Sequence, residues 1–126
     1  MNTVEPIRDL DTVLDIADYL KVRNKRDYVM FMFGIYSGLR ISDILQFRVR
    51  DVRGKDFISQ REQKTKKEKR FPINKELKNI IDDYISDKRD FEYLFKSPGR
   101  PNKPITRQQA YNILSSAGKQ FGLESI

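Results

Sequence analysis

Ser37-Gly38-Leu39-Arg40-Ile41-Ser42-Asp43-Ile44-Leu45 is the stretch on which the reading of this 126-residue chain turns. A glycine turn leads into a helix, with an arginine at the junction and a carboxylate one turn further on. Residues i and i+3 share a helix face, so the spacing predicts that Arg40 and Asp43 meet. A guanidinium matches phosphate oxygens bidentately, and a helix N-terminus attracts negative charge. The pair by itself is weak, because an arginine and an aspartate one turn apart are more often solvated surface charges. Ile41, Ile44 and Leu45 form the expected buried face of a short helix running from about Arg40 to Phe47.

Upstream, residues 28–36 are apolar all round, which predicts a buried central helix, with Gly34 permitting close packing. Before it, Leu10, Val13, Leu14, Ala17 and Leu20 recur at helical spacing, with Asp9 or Asp11 available as the cap. Residues 1–8 read as a loose leader and residues 21–26 as a basic corner. Downstream, from 49 to 73, the period changes. Residues 52–60 suggest a strand, a turn at Gly54 and a second strand; residues 69–73 suggest a third, with Pro72 suited to an edge. Asn74 then caps a helix with the stripe Leu77, Ile80, Ile81, Tyr84 and Ile85. Pro98-Gly99-Arg100-Pro101-Asn102 signals a turn. Thr106-Arg107-Gln108-Gln109 is a capping-box pattern that opens a last helix through Ala110, Ile113, Leu114, Ala117 and Phe121, ended by Gly122. There is no internal repeat and no linker. Residues 1–126 read as a single α+β domain, mainly helical, with a small antiparallel three-stranded sheet.

Composition narrows the function. Lys and Arg number 25 against 18 Asp and Glu, for a net charge of +7 and a pI near 9.7, which permits binding to phosphates. The chain has no cysteine, so disulfides and thiolate metal sites are excluded, as suits the cytosol. It has no histidine either, which removes the commonest general base and metal ligand. Any chemistry rests on Arg, Lys, Asp, Glu, Tyr, Ser or Thr. No stretch approaches a membrane span, and Met1-Asn2-Thr3-Val4-Glu5 does not begin a signal peptide.

Charge concentrates between residues 60 and 70. Arg61, Lys64, Lys66, Lys67, Lys69 and Arg70 stand against Glu62 and Glu68, six cations to two acids, in an expected turn between strands. A lysine-tipped ribbon suits a groove and its phosphates. A hydrated tip whose lysines discourage edge pairing explains the same composition equally well.

The order of these features resembles the first catalytic box of the tyrosine recombinases, the phage-integrase family. There the pattern reads T/S-G-L-R-I/V-S-E/D-L/I-L after an apolar run and before an aspartate–aliphatic pair, here Asp51-Val52. The match is dense over about fifteen positions. The hairpin is similar as well: the family's G-K-G-x-K-x-R-x-V-P-L sets a lysine eight residues before a proline, which selects Lys64 ahead of Pro72 over the competing Lys66. Gln63 and Thr65 stand where the family often has glycine. Tyr93-Leu94-Phe95-Lys96-Ser97 and the helix from Thr106 resemble the family's L-F-x-S loop and next helix, so the resemblance runs from about residue 9 onward.

The resemblance implies DNA cutting and rejoining through a 3′-phosphotyrosine, with no metal and no cofactor. Arg40 would stabilise the transition-state charge, Asp43 would orient it, and Lys64 would protonate the departing 5′-oxygen. Lys66, Lys67, Lys69, Arg70 and Arg107 are the expected DNA contacts. The implied partners are double-stranded DNA and further copies of the protein on that DNA. The family's H-x-x-R and nucleophilic tyrosine have no counterpart among these residues. The expectation is therefore the N-terminal part of a catalytic domain, inactive alone; the alternative is a non-catalytic basic DNA-binding module. Of the six tyrosines, Tyr28, Tyr36, Tyr84 and Tyr111 fall on or beside core stripes, and none is assigned as nucleophile.

Overall fold

A computed structural model of the chain describes residues 10–61, 66–99 and 101–123. Residues 1–8, expected as a leader, and Lys64 lie outside them. The helices are α1 (Leu10–Arg23), α2 (Lys25–Ser37), α3 (Ile41–Ile44), α4 (Lys75–Ile85) and α5 (Arg107–Gln120), with strands β1 (Phe57–Arg61) and β2 (Glu68–Pro72) between α3 and α4. The class is mainly helical with a small antiparallel sheet. Among the described residues that sheet has two strands rather than the three expected.

The missing strand is a tight turn. Val49–Asp51 forms a 3-10 turn, and the Asp51 carboxylate accepts the Arg48 backbone N–H at 2.8 Å. Val52 is buried, at 2% exposure, and Gly54 takes φ +68°. The local side-chain bond pulls the chain round where alternation alone suggested an extended run.

α2 is the central element and packs on α1, α3 and α4. Its ends are set by residues suited to them. Asn24 accepts the Asp27 N–H at its N-cap, and Gly38 closes it in the left-handed conformation, donating its N–H to Gly34. Asn74 caps α4, and Thr106 with Gln109 forms the reciprocal box at α5. The main core gathers Phe33, Phe47, Phe95, Ile44, Ile58, Leu77 and Ile81. Within it the Phe33 ring lies 5.3 Å from Phe47, 6.0 Å from Phe95 and 6.5 Å from Phe71. Burying each such side chain is worth roughly 1.5–3 kcal/mol. A second cluster joins α1 to α5 through Ile16, Ala17, Leu20 and Ala117.

Two expectations about packing change. A Cβ at Gly34 would lie 3.7 Å from Ile44 Cδ1, an ordinary contact, so close approach does not require glycine there. Tyr111, placed beside a core stripe, is 45% exposed.

The connection from α4 to α5 is irregular but tied down. Arg53 pairs with Asp90 and donates to the carbonyls of Ile85 and Lys88 at 2.8 and 2.7 Å. Arg48 donates to Phe91 O at 2.7 Å and to the Tyr93 hydroxyl at 3.0 Å. Asn102 closes the far side, accepting from Tyr93 N and donating to Phe91 O.

Candidate functional site

Arg40 sits at the mouth of a turn built by its neighbours. After Gly38, the Leu39 N–H donates to Ser37 Oγ at 3.2 Å, and Leu39 is buried at 8% exposure. Arg40 is extended, at φ −71° and ψ 150°. Its carbonyl accepts from Asp43 N and Ile44 N at 3.0 and 2.9 Å. α3 is shorter than the expected helix because the next bonds, Gln46 N to Asp43 O and Phe47 N to Ile44 O, tighten to i→i+3 spacing.

The Arg40 side chain is exposed, whereas Asp43 is 4% exposed. The two do not pair as the spacing predicted. Among the described residues, no hydrogen bond or ion pair engages the guanidinium of Arg40 or the carboxylate of Asp43. The helix is one turn long, and the arginine lies outside it as the cap, so the i, i+3 rule has little helix to act on.

The cations of the hairpin lie on a two-stranded ribbon. β1 and β2 pair antiparallel, with Ile58 opposite Phe71, Ser59 opposite Arg70 and Arg61 opposite Glu68. Lys66 is exposed with φ +60°, an unusual backbone for a side-chain-bearing residue. Lys67 is exposed, and Lys69 lies within β2. The Arg70 guanidinium stands 4.5 Å from the centre of the Phe57 ring. Arg107 opens α5, exposed, with its guanidinium 5.5 Å from the Tyr111 ring.

Every tyrosine has a local role. Tyr84 donates its hydroxyl to Leu94 O at 2.7 Å, and burial pushes its phenol well above the usual range. Tyr36 donates to Glu76 at 2.6 Å; that bond, followed by partial burial, raises its phenol too. Both shifts oppose phenolate formation, the reverse of what a nucleophile needs. Tyr93 accepts from Arg48, and Tyr19, Tyr28 and Tyr111 lie under Arg23, Lys21 and Arg107.

Sequence reasoning missed Phe57 as the partner of Arg70, and Glu76 as the anchor of Tyr36 just ahead of the Arg40 turn. Strand alternation was the signal for the first. The second joins residues 40 positions apart and has no local signal. Among the described residues, no cluster of acidic side chains suits a metal ion, and no helix is long and apolar enough to cross a membrane.

A basic ribbon following an Arg-bearing turn, on this helical frame, defines the class: the chain belongs to the phage integrase family, which matches residues 7–126. It is 49% identical over 126 residues to the probable integrase/recombinase YoeC of Bacillus subtilis (strain 168), spanning all of this chain and 69% of that protein. It is 30% identical over 110 residues to a tyrosine recombinase of Pseudothermotoga lettingae, spanning 76% of this chain and 38% of the relative. Identity to tyrosine recombinase XerA of Pyrococcus horikoshii is 27% over 118 residues, 91% of this chain and 40% of the relative. The chain thus spans about two fifths of the length of these last two relatives.

Proposed function

We propose that the chain forms the DNA-facing part of a site-specific tyrosine recombinase catalytic domain. In the active protein it serves cutting and rejoining of DNA through a 3′-phosphotyrosine. The observation that carries this reading is Arg40: an exposed guanidinium without a protein partner among the described residues, one turn before an almost buried Asp43, inside the segment that matches the family.

An exposed guanidinium carried by a backbone turn seated on the core has its donors available to a phosphate, where they favour the charge that develops as phosphorus is attacked. Asp43 limits where Arg40 settles once phosphate is bound. Lys64 supplies the proton to the departing 5′-oxygen. Lys66, Lys67, Lys69, Arg70 and Arg107 neutralise backbone phosphates. These 126 residues alone bind DNA without cutting it. That reading is supported by the tyrosines, whose hydroxyls or rings are engaged in the fold and whose two shifted phenols are shifted upward.

Duplex binding measured over a range of salt tests the proposal. Each lost phosphate contact lowers the log–log salt slope by about 0.9. Changing Lys64, Lys66 and Lys67 together to alanine is expected to flatten the slope with little change in melting temperature. An unchanged slope would make the hairpin a solvated tip. Incubation with a nicked suicide duplex is expected to give no covalent adduct on a denaturing gel; an adduct would show that one of the six tyrosines is a nucleophile.

A further inference from the structure

The N-terminal end of α4 is bonded in two directions. In one, Glu76 accepts the Tyr36 hydroxyl at 2.6 Å. Tyr36 lies in the last turn of α2 and immediately precedes Ser37, whose Oγ accepts the Leu39 N–H inside the Arg40 turn. The bond therefore grips α2 at the point where that turn departs. In the other direction, Lys78 donates to the Asp56 carboxylate at 2.9 Å, and the Ile73 N–H, just ahead of the helix, donates to the Asp56 carbonyl at 2.8 Å. Asp56 and Ile73 adjoin the last ribbon pair, Phe57 opposite Pro72, so these bonds close the ribbon at its root. The bond to Lys78 holds the Asp56 carboxyl below its usual range and the Lys78 ammonium above its own, which keeps the pair charged at neutral pH. Exposed bonds of this kind add little to stability. What they restrict, from one helix end, is how the turn and the ribbon root lie relative to each other.

We propose that Tyr36–Glu76 and Asp56–Lys78 form a clasp that holds the Arg40 turn and the ribbon in one relation, so that Arg40 and the ribbon's cations meet a single duplex together. The inference rests on the DNA-binding reading above and adds four positioning residues that touch no DNA themselves. A surface arranged before binding loses less conformational freedom when the partner arrives. The two cationic regions reach the core by separate routes, the turn through Leu39 and Ile44 and the ribbon through Ile58 and Phe71. The start of α4 is bonded to both. Tyr36 and Glu76 stand 40 positions apart, so the clasp joins segments that the chain itself does not hold together.

The test has a structural arm and a binding arm. The chain has no cysteine, so Ser42→Cys and Ser59→Cys, at exposed positions beside the turn and on the ribbon, take spin labels whose separation is read by pulsed electron resonance. The parent is expected to give one narrow distance distribution. Tyr36→Phe and Asp56→Ala are each expected to broaden it, and Glu76→Gln, which keeps an acceptor oxygen, to leave it narrow. In the unlabelled chain Tyr36→Phe changes no charge. It is expected to weaken binding of a short mixed-sequence duplex by about two- to tenfold with the salt slope unchanged, and to add nothing in an Arg40→Ala background. A staple that served folding alone would leave binding untouched. A narrow distribution in both variants, or parent affinity in Tyr36→Phe, overturns the clasp and leaves the DNA reading standing. A slope lowered by about 0.9 in Tyr36→Phe would make Tyr36 itself a phosphate contact, which overturns it too. If the parent chain shows no salt-sensitive duplex binding, the DNA reading and this inference fall together.

Discussion

Leu39, Ile44 and Leu45, which bracket Arg40, are at most 8% exposed, and Phe47 just beyond them is 2% exposed. The ribbon is anchored differently: Ile58 is buried and Phe71 partly so, while Phe57, Ser59, Lys66, Lys67 and Arg70 are exposed. Both regions present cations, but one does so from a turn seated on the core and the other from an arm held at its base. A group that must meet a developing charge gains from a fixed position. Groups that only neutralise phosphates act through charge, and tolerate looser support. In the proposed reading the turn presents Arg40 to the reacting phosphate, and the arm contributes backbone contacts together with the proton donor Lys64.

Phe33 joins the two supports through its contacts with Phe47 and Phe71. Phe33→Ala is expected to cost about 3–5 kcal/mol in denaturant unfolding, more than any substitution in the turn or on the ribbon. A loss below about 1 kcal/mol would mean that the turn and the ribbon are not supported by one core.

The two glycines of the Arg40 region give effects of opposite sign. Gly38 has φ +66°, so Gly38→Ala is expected to cost about 1–2 kcal/mol. Gly34 lies inside α2 with room for a methyl group, so Gly34→Ala is expected to stabilise by about 0.5–1 kcal/mol through helix propensity. Equal effects at both positions would show that the turn after α2 is not held in the left-handed conformation.

A smaller effect separates core from arm by pH. Burial raises the Tyr84 phenol from its usual 10.0. The unfolded chain then ionises first, so the contribution of the protonated hydroxyl is complete below pH 10.0 and is lost as pH rises toward the folded-state value. Alkaline denaturation curves of Tyr84→Phe are expected to show a shallower decline than the parent, although stability at neutral pH falls because Leu94 O loses its donor. A matching decline in both proteins would remove Tyr84 from the titration.

Much of this was legible in the chain. The stripes of α1, α4 and α5 and the caps at Asn74 and Thr106 are local patterns, and the helices form where those patterns lie. The first expected strand failed because apolar alternation near Val52 does not reveal that the Asp51 carboxylate will take the Arg48 N–H. The roles of Arg48 and Arg53 were invisible, since their carbonyl partners lie 32 to 43 positions away. At the candidate site, residue types and order were readable from the motif. The separation of exposed Arg40 from almost buried Asp43 was not, because it depends on α3 ending after a single turn.

The most direct measurement is Arg40→Ala in this chain, followed by denaturant unfolding and by the salt dependence of duplex binding on the same preparation. A phosphate-facing Arg40 predicts unfolding free energy within about 0.5 kcal/mol of the parent, with the salt slope reduced by about 0.9. Arg40→Lys should recover the slope, because it keeps the charge. It should leave cleavage impaired in a cleavage-competent form of the protein, because lysine lacks the planar fork. A loss of stability above about 2 kcal/mol with an unaltered salt slope would make Arg40 a structural residue and contradict the account.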